Sequence, residues 1–123
     1  MRKAVTLTEI MLVVMTGIIL ATLAIPLYRK TVVRAKEREA GAMLRLIRKA
    51  EKIYHLEYNT YIGCNDTAQC NTILRLDLPS QNWVYSVPSA TSSTFCAQAK
   101  STEGLGTWSI REDQDDPVKS SCP

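Results

Sequence analysis

From Ile10 to Leu27 no residue is charged. Eighteen helical residues rising about 1.5 Å each span about 27 Å, close to the hydrocarbon thickness of a bilayer, so this run is long enough to enter a membrane. Beyond it the pattern stays helical and changes character. Tyr28 to Tyr58 contains no proline, and Ala40, Leu44, Ile47, Ala50 and Tyr54 recur at spacings of three or four as one apolar stripe. Arg34, Arg38, Arg45, Arg48 and Lys52 form a second, basic face. The pattern predicts one helix from Val5 to about Tyr58, of about 54 residues and near 80 Å, with an apolar first half (5–28) and an amphipathic spine (29–58). Gly17 and Pro26 weaken it, since glycine costs about 1 kcal/mol and proline removes a hydrogen bond and kinks the axis.

After Tyr58 the composition shifts to Asn, Thr, Ser, Gly and Cys. "NTYIGCNDTAQCNT" reads as loop and "ILRLDLPSQN" ends in a Pro-Ser turn. "WVYSV", "TFCAQAK" and "TWSIRE" are short, partly alternating runs separated by the turn-like "PSATSS" and "STEGLG". They predict an antiparallel meander of three to four strands. Packed on the spine helix, that sheet makes residues 59–123 the head of an α+β fold.

Charge divides the chain. Residues 1–58 hold eleven Lys/Arg against five Asp/Glu (+6), and residues 59–123 four against seven (−3). Opposed halves suit copies that pack head against tail, and basic stripes are equally common as solvated helix faces. All four cysteines, Cys64, Cys70, Cys96 and Cys122, lie after the apolar run, which points to disulfides in an oxidising compartment. The positive-inside rule alone, with Arg29, Lys30, Arg34, Lys36 and Arg38 after the run against Arg2 and Lys3 before it, would instead hold the head in the cytoplasm.

The apolar run contains one awkward residue at its mouth, Glu9. A secretory signal peptide, with Thr22 and Ala24 before a cut at Ile25, leaves this acid unexplained. So does a plain anchor, because a charge near hydrocarbon costs up to about 3 kcal/mol. An acid in that setting calls for a partner.

"RKAVTLTEIMLVVMTGIILATLAIPLY" resembles the N-terminus of type IV pilins and of the related pseudopilins of type II secretion. The likeness rests on a short basic leader, a small residue before the cut, a Thr-Leu-x-Glu motif, an uncharged helix with an internal glycine and a proline near its end. It implies a type IV pilin-like fold and a leader, residues 1–4, removed by a prepilin peptidase between Ala4 and Val5, where the family usually has Gly and Phe. N-methylation of the new terminus is a family trait. The resemblance also implies helix melting between Gly17 and Pro26 in the filament.

On that reading a positive amine on Val5 meets the Glu9 carboxylate of an adjacent subunit inside an apolar filament core, and each charge makes the other tolerable. The implied protein is a homopolymeric filament subunit, held in the inner membrane before an assembly platform there adds it to a surface filament. A secretion pseudopilin and a minor pilin binding DNA are the alternatives within the family. A monomeric anchored domain is the alternative outside it. DNA binding through Arg75, Lys100, Arg111 and Lys119 is disfavoured by the acidic head.

Four cysteines allow three connectivities. Cys64 and Cys70 are near enough to close a short loop, and tying Cys122 to Cys96 would fasten a polar tail to a strand. The resemblance points the same way, since the family commonly staples its C-terminal region. Catalytic chemistry is thin: His55 is the only histidine, no nucleophile has a recognisable partner, and no phosphate loop or zinc-like cysteine spacing occurs. No enzyme activity, cofactor or metal is expected. "EDQDD", Glu112 to Asp116, could ligate calcium and reads better as a solvated acidic loop.

Overall fold

The computed structural model describes residues 4–123, and Met1, Arg2 and Lys3 of the expected leader lie outside it. The elements run α1 (Leu7–Tyr58), α2 (Thr67–Leu74), β1 (Trp83–Ala90), β2 (Phe95–Ser101) and β3 (Thr107–Arg111). A long N-terminal helix with a small antiparallel sheet packed on it is an α+β layout like that of type IV pilins. The chain forms two compact units, divided between Ala35 and Lys36 inside α1.

In the C-terminal unit, Ala40, Leu44 and Ile47 of α1 are fully buried. They share one core with Trp83, Tyr85 and Val87 of β1, Phe95, Ala97 and Ala99 of β2, and Ile110 of β3. Alternation explains the sheet's share, because every second residue of a strand faces the same side. The strand order is β1-β2-β3, all antiparallel, with Tyr85 opposite Ala99 and Gln98 opposite Ser109. The sheet has three strands. Single bridges extend it on both sides, Cys64 to Val87 beyond β1 and Val118 to Ser109 beyond β3.

Four expectations need correction. The segment read as a loop after Tyr58 contains α2. Asp66 is its N-cap, its side chain accepting the Gln69 amide at 2.7 Å, while Gln69 Oε1 accepts the Asn65 amide at 2.7 Å. Capping by Asp66, with Gln69 reaching back to the residue before the cap, starts a helix in a polar stretch that lacks a long apolar period. Arg75 ends it in the left-handed conformation (φ 56°), and its amide bonds back to the Asn71 carbonyl.

Second, β1 continues past Val87 through Pro88 to Ala90, where a turn was expected. A proline is tolerated there because β1 is an edge strand and its register shifts between Ser86 and Ser89. Third, the buried stripe of α1 reads Ala40, Leu44, Ile47 and Glu51, with Ala50 only half-buried. A strict period of 3.6 leads to position 51, and the glutamate there was hidden by its own polarity. Fourth, α1 itself begins at Leu7, two residues after the expected start.

Candidate functional site

Ala4, Val5 and Thr6 precede α1 as exposed, non-helical residues, so the expected cleavage position lies in accessible chain. Thr6 caps the helix: its Oγ1 accepts the Glu9 amide at 3.2 Å, and its carbonyl accepts the Ile10 amide at 3.2 Å. This Thr-x-x-Glu spacing is a capping signature that a reading of Glu9 as a lone charge overlooks. Glu9 therefore has a local reason to exist, a negative charge in the first turn of a helix. Near a helix N-terminus that is worth about 0.3–1 kcal/mol, less than the roughly 3 kcal/mol that the charge costs near hydrocarbon. Capping alone does not account for the acid.

Glu9 stands in a shallow surface groove with Val5, Ile10, Val13 and Val14, an apolar setting for its carboxylate. It makes no ion pair among the described residues. One groove further, Leu12, Val13, Thr16, Gly17 and Leu20 line a second hollow, and a Cβ added at Gly17 would meet nothing within 4 Å. Every large apolar side chain named from Val5 to Leu27 is 50–77 % exposed. The hydroxyls inside the run are satisfied internally: Thr16 donates to the Leu12 carbonyl at 2.8 Å and Thr22 to that of Ile19 at 2.7 Å. No hydroxyl of these two needs water, which suits an apolar surrounding. α1 is helical through Gly17 and Pro26 in the isolated chain. Pro26 has no amide to give the carbonyl four residues earlier, that of Thr22.

The head is fastened to the C-terminal part of α1 by polar contacts around the core. Trp83 Nε1 donates to the Lys36 carbonyl at 2.9 Å, and Lys36 Nζ pairs with Glu103. Arg45 reaches Asp116 at 2.8 Å, and Arg48 reaches both Asp115 at 3.3 Å and the Glu112 carbonyl at 3.1 Å. Glu112 Oε2 accepts the Phe95 amide at 3.1 Å. The acidic cluster is an exposed loop, with Asp115 94 % and Asp116 82 % exposed, whose outer carboxylates touch guanidinium groups of α1 while Glu112 turns inward to a backbone amide. Two of the five cations of the basic face, Arg45 and Arg48, thus find their partners in the acidic tail of the same chain.

At the far end of α1, the Tyr61 ring stacks on His55 at 4.5 Å and tilts against Phe95 at 4.8 Å. His55 Nε2 lies 2.8 Å from the Ser92 carbonyl, which gives the lone histidine a structural role. The disulfides are Cys64–Cys70 and Cys96–Cys122, and no cysteine is free. Cys70 is the buried residue of α2's middle turn, and Cys122 brings the tail to β2, where its amide also donates to Gln98 Oε1 at 3.2 Å.

No protein-family model matches the chain, and no curated protein is significantly similar to it.

Proposed function

We propose that the chain is the structural subunit of a type IV pilus-like filament, assembled from the inner membrane into a polymer at the cell surface. The observation that carries this reading is Glu9: a single carboxylate, unpaired among the described residues, on an exposed apolar helix that is long and apolar enough to cross a membrane. Such a surface needs lipid before assembly and other copies of the same helix after it. Removal of the leader after Ala4 by a prepilin peptidase frees an amine on Val5, the cation that Glu9 of the neighbouring subunit lacks. The Gly17 hollow lets a second helix approach closely, and loosening of the helix between Gly17 and Pro26 belongs to the packed filament. The head, held by two disulfides, serves as the outward-facing part, and no catalytic role is assigned to it.

The test is Glu9→Val in a strain whose only copy is the variant. The segment stays apolar, so membrane insertion is retained while the yield of sheared filaments falls at least tenfold. Filament yield equal to the unaltered chain would overturn the pairing.

A further inference from the structure

The cations of α1 fall into two groups. Lys36, Arg45 and Arg48 have their anions in the head, Glu103, Asp116 and Asp115. Arg29, Lys30 and Arg34 have none, and neither do Arg38, Lys49 and Lys52 farther along: all six are exposed, and no ion pair among the described residues includes them. No carboxylate occurs in sequence between Glu9 and Glu37. What sets Arg29, Lys30 and Arg34 apart is position, since they follow closely on Leu27, the last residue of the uncharged run, with Tyr28 beside them 71 % exposed.

We propose that Tyr28, Arg29, Lys30 and Arg34 form a collar that binds anionic phospholipid, the three cations taking headgroup phosphates of the leaflet at which α1 leaves the bilayer. The inference rests on the reading that the N-terminal part of α1 spans a membrane. Depth supports it. Arg29, Lys30 and Arg34 lie about 3, 4.5 and 10 Å beyond Leu27 along the helix. A headgroup layer is about 5–7 Å thick on each side, and long cationic side chains bend back toward it. Tyrosine at the same level is the amphipathic ring that such a boundary favours.

Angular spread separates lipid from a protein partner. Lys30 and Arg34, four apart, share a face, and Arg29 stands about 100° away from Lys30. An annulus of lipid surrounds a helix and can meet cations so spread, whereas a second copy would present its carboxylates from one side.

The experiment uses the full chain in vesicles of phosphatidylcholine and phosphatidylglycerol, with spin-labelled forms of each reporting which lipid is held at the protein. Resistance to alkaline extraction reports insertion independently. Each cation at a membrane surface is worth about a fivefold preference for anionic lipid. The unaltered chain should favour phosphatidylglycerol about fivefold or more. Arg29→Gln/Lys30→Gln/Arg34→Gln should lose the preference, while Lys52→Gln and the charge-keeping Arg34→Lys retain it. If the triple variant fails to insert, Arg34→Gln alone should still show a several-fold loss.

An inserted chain with no preference, or with a preference the variants leave unchanged, would overturn the collar alone. So would variants that lose self-association in detergent but keep lipid selectivity, since the anion would then be another copy. A chain that alkali extracts would overturn the membrane-spanning reading and the collar with it.

Discussion

The Glu51 carboxyl accepts the Ile62 amide through Oε2 at 2.9 Å, and its Oε1 is buried with no partner. Fully buried on α1, it fixes the start of the segment that leaves the helix for the head. Burial pushes this carboxyl up to about 7, and the Ile62 amide, which favours the charged form, only partly opposes that.

Stability should therefore carry a particular pH dependence. The folded head holds the Glu51 proton up to about pH 7, whereas the unfolded chain releases it near 4.5. Between those values the folded state binds more protons, so this contribution is complete at low pH and is lost as pH rises. It amounts to at most about 3 kcal/mol, less where solvent screens the site. Glu51→Gln keeps a neutral group of the same shape, and thermal unfolding by near-ultraviolet circular dichroism in detergent should show a flatter profile between pH 4.5 and 7. An unchanged slope would mean that Glu51 is ionised in the folded head.

The two disulfides should contribute unequally. Cys96–Cys122 closes a sequence separation of 26 and Cys64–Cys70 one of 6. Chain entropy assigns them about 3.5 and about 2 kcal/mol. Paired replacement by serine, followed by denaturant titration, should rank the tail staple first, with earlier proteolysis of residues 112–123 when it is absent.

Charge and packing along the spine should differ by several-fold. The Arg45–Asp116 pair is exposed on both sides, 49 % and 82 %, so Arg45→Gln should cost under about 1 kcal/mol and less at high salt. Leu44, one residue earlier and fully buried, should cost about 2–5 kcal/mol on change to alanine. Equal losses would mean that the ionic contacts to the tail hold the head as strongly as its core does.

Processing has a direct readout in intact mass. A mature chain beginning at Val5 is expected from purified filaments, and one beginning at Ile25 would indicate a secretory cut. Thr6→Ala should cost about 1 kcal/mol of helix capping and leave the start at Val5 unchanged, the mass differing only by the substitution itself, which separates the cap from the cleavage.

Long periodic segments were legible in the sequence. The extent of α1 and the three strands follow from apolar spacing, because a helix or strand that buries one face repeats its pattern. The features that apolar spacing does not reveal are written in polar residues. α2 is set by Asp66 and Gln69 through hydrogen bonds that leave no apolar period, and Glu51 occupies a core position that a search for apolar stripes passes over. Thr6 is similar, since Glu9 taken as a partner-seeking charge obscures its place in a cap. The arginine contacts with Asp115 and Asp116 join positions about seventy residues apart, a pairing that charge counts by halves could only express as an opposition of sign.

The bridges Cys64 to Val87 and Val118 to Ser109 occupy both margins of the sheet, and Pro88 withholds one further donor from the β1 margin. An open strand margin is where a second chain can add itself and begin aggregation. Here each margin is covered by a segment adjoining a disulfide, so reduction would do more than loosen the head. It would release both covers and expose adhesive backbone on a molecule crowded among copies of itself.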